Sequence, residues 1–199
     1  MRPVDLERRA RCAAELRARF PKHAGAVLSA LDANPSAALP YHGTPHMLVV
    51  ALATLELAAG EQLSPDETDF VFLAALFHDY DYAGAEDDGV NTGRAAAAVR
   101  EHLGFTDHAR IAALVDASRY PYLVAPRSRS EEVLRDADVA YSTLLIPDAQ
   151  HFRTGLLIER GAPATEQDAI GFIIGHGLYT ATAVRAVNRI ISNGRAGDS

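Results

Sequence analysis

From Phe70 to Phe77 the chain reads FVFLAALF, with no polar side chain anywhere in the run. A helix of this sequence has no face to offer water, so it has to run through the middle of a fold, walled by other helices. The next residues are His78 and Asp79, in AALFHDYDYAG. The inner end of a buried rod therefore carries groups that dislike burial. An ionised carboxylate there is costly unless it is paired or coordinates a cation, and a metal ion resolves that cost. A hydrogen-bonded histidine at a helix C-terminus would give the same local pattern, so the dipeptide needs partners from elsewhere in the chain.

Periodicity is helical nearly everywhere, with no convincing strand alternation and no internal repeat, which predicts an all-α fold. The expected helices cover 4–20, 23–33, 44–60, 65–79, 91–103, 107–119, 129–145, 148–160 and 166–192. Breakers separate them at Asn34-Pro35, Pro40, Gly84 to Gly89, Pro121, Pro126 and Pro147. Ser64-Pro65-Asp66-Glu67 supplies a capping hydroxyl, a proline whose missing N–H costs nothing at the first helical position, and a Glu able to reach back. Thr44-Pro45 repeats the cap-then-proline signal, and Ser128 with Glu131 fits the same box.

The 199 residues, 48% hydrophobic and 23% charged, suffice for one sizeable core, and one domain spanning 1–199 is the expectation. A net charge of -7 argues against a partner recognised through a nucleic acid backbone, because such binding neutralises phosphates with Lys and Arg. Small anionic substrates stay open if a metal supplies positive charge. The single Cys12 excludes an internal disulfide and a thiolate metal cage. No signal-peptide core and no membrane-length apolar run is apparent, so a cytoplasmic protein without membrane contact is expected.

A metal site takes three or more ligand groups, usually scattered along the chain. His42 and His46 in YHGTPHMLVVA flank the start of the predicted helix at 44, with His46 in its first turn ahead of an apolar run. In RDADVAYSTLL, Asp136 and Asp138 lie about 200° apart around a helix, so only one should point inward. Leu134, Asp138, Tyr141 and Leu145 fall on one stripe, which selects Asp138 as the buried carboxylate and leaves Asp136 as a neighbour or surface group.

The ordered series His46, His78-Asp79 and Asp138 resembles the HD-domain superfamily of metal-dependent phosphohydrolases. More narrowly, Tyr41-His42-Gly43-Thr44-Pro45-His46, His78-Asp79-Tyr80-Asp81-Tyr82, Asn91 with Ala95-Ala96, and Ala137-Asp138 resemble a bacterial subgroup with YHxxxH and HDxxY motifs. The resemblance covers residues 40–145. It implies an all-α, single-domain bundle binding one divalent cation (Mn, Mg, Co, Ni, Zn or Fe) through His46, His78, Asp79 and Asp138. The implied reaction is hydrolysis of a phosphomonoester or phosphodiester of a small molecule, a nucleotide being the expected class, by a metal-activated water. The chain departs from the subgroup at Asn91-Thr92, where Asn-Glu is usual, and at Ser118-Arg119-Tyr120-Pro121, where histidines are common. Loss of those histidines favours one metal over two.

Within that reading Asp79 steers the water and Asp81 is the candidate general base, because Tyr82 stands where relatives carry a Glu. Its other role is to end the helix and solvate the loop. His42, Tyr82, Arg94 and Arg119 are the candidate substrate contacts, arginine suiting bidentate phosphate binding. The loop Glu86-Asp87-Asp88 is expected to be solvated or to close over the cation. His102 and His108 are expected to be structural, and His151 and His176 to be satisfied core residues. Two other functions stay open: a di-iron oxygenase on the same fold, and a protein that binds a metal or ligand without turnover. Oligomeric state is open too, a homodimer being one outcome.

Overall fold

Ser64 starts the central helix as expected: its hydroxyl accepts from Glu67 N, and the Glu67 carboxylate accepts from Ser64 N at 3.1 Å. In the computed structural model, which describes residues 2–161 and 165–197, this helix is α4 (Pro65–Phe77). All residues from Val71 to Phe77 are fully buried. It runs beside α3 (Thr44–Gly60), and the two form the centre. The wall consists of α1 (Pro3–Arg19), α2 (Ala24–Asp32), α5 (Asp88–His102), α6 (His108–Ala117), α7 (Arg129–Asp136), α8 (Ala149–Arg160), α9 (Glu166–His176) and α10 (Ala181–Gly197). Among the described residues there is no strand, and no helix is long and apolar enough to cross a membrane. Cys12 lies free in the core, where burial pushes its thiol up to about 12.

Capping at the other two predicted starts differs from the sequence reading. Thr44 is the first residue inside α3, with Gly43 in the cap position; a side chain on Gly43 would collide with the Leu39 and Ala37 carbonyls. Ser128 does cap α7 by accepting from Glu131 N, but the Glu131 carboxylate accepts from Arg127 N, so only half the box forms.

Two further departures shape the site. The predicted helix at 129–145 is α-helical only to Asp136 and continues as a π-helix over Ala137–Leu145. There the hydroxyls of Ser142 and Thr143 donate back to the carbonyls of Asp138 and Val139, at 3.4 and 2.7 Å, a local competition that loosens regular helix. The predicted helix at 166–192 is two helices. Gly177 ends α9 with φ 76°, and the N–H groups of Tyr179 and Thr180, just before α10, donate to Asp136.

The widened turn also changes which residues share a face. Asp138, Val139 and Thr143 line one cavity, whereas Tyr141 and Leu145 line a different groove on the side of α1 and α10. The stripe expected to unite Asp138 with Tyr141 and Leu145 therefore does not exist, because a π-helix pairs i with i+5. Asp136 is not a surface group: it is 1% exposed.

Candidate metal and anion site

His46 sits in the first turn of α3, His78 and Asp79 follow α4, and Asp138 lies near the start of the π-helix. Proximity of these elements brings four ligand atoms together. His46 Nε2 lies 3.1 Å from Asp138 Oδ1, 3.3 Å from Asp79 Oδ2 and 3.2 Å from His78 Nε2. His78 Nε2 lies 3.1 Å from Asp79 Oδ2 and 3.7 Å from Asp138 Oδ1. His78 Nδ1 is 2.8 Å from the Ala75 carbonyl, which fixes a proton on that nitrogen and leaves Nε2 as the lone-pair side of the neutral ring.

The geometry suits a cation better than a set of hydrogen bonds. Asp79 Oδ2 is buried without a hydrogen-bond partner, even though both imidazole Nε2 atoms are within 3.3 Å. A proton on one nitrogen is directional and serves one neighbour; a small cation serves several lone pairs at once. The donor set, two imidazoles and two carboxylates, fits a first-row divalent ion. His46, His78 and Asp79 place their ligand atoms within 4.8 Å of one another.

Without a cation, protons balance the charge of the cluster. Burial drives both imidazoles toward the neutral form, but Asp138 and Asp79 outweigh it and raise both. Burial pushes the two carboxyls up, and the imidazoles pull them below the ordinary carboxylate range. The carboxylates are thus ionised while the imidazoles favour their protonated form, so a cation would displace protons from His46 and His78, which ligate only as neutral rings.

A cavity of about 690 Å³ opens over this cluster, lined by His78, Asp79 and Asp138. His42 and Tyr82 also line it, with rings stacked at 3.8 Å and 6°. His42 Nδ1 donates to Glu159 Oε2 at 2.6 Å, while Glu159 Oε1 accepts from the N–H groups of Tyr41 and His42. Burial raises the Glu159 carboxyl, but these bonds bring it below its usual value. Gly155 makes this reach possible, because a Cβ there would strike the Pro40 carbonyl.

The structure does not bring the remaining predicted residues into the cavity. Asp81, at φ 58°, pairs with Arg94 at 2.7 Å, and neither lines the cavity. The candidate base and the candidate phosphate contact therefore neutralise each other. Arg119 is half-exposed and pairs with Asp87 at 2.7 Å, also outside the lining. Of the acidic loop, Glu86 and Asp88 reach the cavity, and Asp88 Oδ2 accepts from Tyr120 N at 2.8 Å. His151 and His176 are exposed rather than core residues, and His102 packs on Phe77 and Tyr80 away from the site.

Sequence reasoning missed the positive charge that the cavity does contain. Arg153 and Arg160 of α8 line it, Arg153 almost wholly buried and donating to the Thr143 carbonyl at 2.7 Å. Arg160 donates to the Tyr82 hydroxyl. Their signal was present: Arg153, Leu156 and Arg160 fall at i, i+3 and i+7, one helix face, and all three line the cavity. Tyr122 was missed as well; burial and Asp138 keep its phenol protonated, and it donates to Asp138 Oδ2 at 3.4 Å. Comparison with family models, with curated proteins and with solved structures found no match.

Proposed function

We propose that the protein is a metal-dependent phosphohydrolase of the HD type, acting on a phosphate ester of a small molecule. The observation that carries the reading is the convergence of His46 Nε2, His78 Nε2, Asp79 Oδ2 and Asp138 Oδ1, with Asp79 Oδ2 left unbonded, on the floor of a cavity that also holds Arg153 and Arg160. His46, His78, Asp79 and Asp138 would hold the cation. When bound, a divalent ion supplies Lewis acidity toward a phosphoryl oxygen and lowers the pKa of a neighbouring water.

The chain's own groups do the rest. Arg153 and Arg160 bind phosphoryl oxygens in place of Arg94 and Arg119, with the forked geometry that guanidinium offers. Asp79 orients the attacking water through its carboxylate. His42, held by Glu159, presents its Nε2 edge to the bound ester, and Tyr122 fixes the rotamer of Asp138.

One observation favours a second reading, a protein that binds a metal and an anion without turnover: Asp81, the acid next to the ligand set, is bound to Arg94. A screen of phosphomonoesters and phosphodiesters with Mn, Mg, Co and Ni separates the two. Ester hydrolysis, read as phosphate from monoesters and as free alcohol from diesters, that disappears in His78→Ala is the expected result. Retained metal with no turnover of any ester would select the binding protein.

A further inference from the structure

One wall of the cavity is aromatic. Tyr120 and Tyr122, from the segment after α6, and Phe172, from α9, all line it. The Tyr120 ring stands 5.7 Å from Tyr122 at 90° and 6.1 Å from Phe172 at 39°. Tyr122 is the member that reaches the cation cluster through its bond to Asp138. Tyr120 and Phe172 keep 47% and 39% of their surface exposed, although His176 packs against Phe172 at 4.0 Å and Tyr120 at 5.7 Å, so part of each ring stays open. The Gln167 amide of α9 lines the same cavity, offering both a donor and an acceptor.

An acyl chain would call for an aliphatic lining, and a sugar for a ring of hydrogen-bonding groups. Partly open tyrosine and phenylalanine rings beside an amide suit a flat, polar-edged ring, which stacks on the faces and is read at its rim. We propose that Tyr120 and Phe172 are specificity-determining residues, forming a shelf for a flat ring carried by the phosphate ester. The ester would then lie with its phosphate near Asp138 and the arginines and its ring under α9. This assignment rests on the phosphohydrolase reading for the placement of the phosphate.

Binding to the Mn-loaded protein, measured by calorimetry with non-hydrolysable phosphonate analogues, tests the shelf without depending on turnover. The probes are analogues of a nucleoside monophosphate, of naphthyl phosphate and of ribose 5-phosphate. A ring-bearing probe should bind at least about tenfold more tightly than the ribose analogue, the worth of one ring stack. Tyr120→Ala and Phe172→Ala should each erase most of that preference and leave ribose-analogue binding unchanged, while Tyr120→Phe and Phe172→Tyr should retain it. The two ring-bearing probes together tell whether the rim is read: a nucleoside preference over naphthyl implicates Gln167, and equal affinity assigns the preference to stacking alone. Both side chains are partly exposed, so thermal unfolding of the alanine variants should match that of the unsubstituted protein. Equal affinity for ringed and ringless probes, or an equal loss of both in the variants, would overturn the shelf and leave the phosphohydrolase reading standing. Failure of every phosphonate to bind would overturn both.

Discussion

Asp136 and Asp138 stand two residues apart, and helix rotation sends them into opposite surroundings. Asp136 meets donors only: Tyr179 N at 3.1 Å, Thr180 N at 2.7 Å and the Thr180 hydroxyl at 2.7 Å. It satisfies the free N–H groups at the start of α10 from another part of the chain. Asp138 meets ring nitrogens, His46 Nε2 at 3.1 Å and His78 Nε2 at 3.7 Å, with the Tyr122 hydroxyl at 3.4 Å. A buried carboxylate surrounded by fixed N–H and O–H groups closes a structure. One that shares its space with other lone pairs leaves an electrostatic demand that a cation meets.

Replacing each aspartate should separate these roles. Asp136→Leu leaves two backbone N–H groups and a hydroxyl buried without an acceptor, and should lower unfolding free energy by about 3 kcal/mol or more, measured in urea. Asp138→Asn removes a carboxylate that His46 and His78 favour in its ionised form, and should cost the cation-free protein about 1 to 2 kcal/mol, less than Asp136→Leu, while weakening cation binding by roughly a hundredfold or more. If both variants lost stability equally and both kept the cation, the distinction would collapse. A narrower probe is Thr180→Val, which removes one donor from Asp136 and the acceptor of Ala183 N, and should cost about 1 to 2 kcal/mol with cation affinity unchanged. Least of all should Arg94→Ala do: its exposed pair with Asp81 should be worth less than about 1 kcal/mol, and turnover should be unaltered if Asp81 is not the base. A large drop in turnover would return Asp81 and Arg94 to the reaction.

How much of this was legible in the sequence follows from how local each cause is. His78-Asp79 was readable because eight apolar residues lead into it, a pattern few other positions could explain. Its helix start was readable from Ser64-Pro65-Asp66-Glu67, since capping is settled within four residues. The choice of Asp138 as a ligand candidate matched its location in the cavity, yet the stripe behind that choice assumed an α-helical period that stops at Asp136. Asp136 was misplaced for a different reason: its partners lie 43 and 44 residues downstream, at a break within what periodicity read as one helix. Asp81, Arg94 and Arg119 lie in ion pairs outside the cavity lining, because such pairs form across loops and sequence spacing carries no record of them. Arg153 and Arg160 were overlooked although their spacing was visible, since nothing local to α8 told which of its faces meets the cavity.

The central claim is that His46, His78, Asp79 and Asp138 hold a single divalent cation. Elemental analysis after equilibrium dialysis against Mn, Co, Ni and Zn, run on the unsubstituted protein and on His78→Ala and Asp138→Ala, tests it most directly. About one equivalent per chain in the unsubstituted protein, lost in both variants while each remains folded, is the predicted result. Cation retained by the variants, or absent from the unsubstituted protein under every one of these metals, would contradict the account.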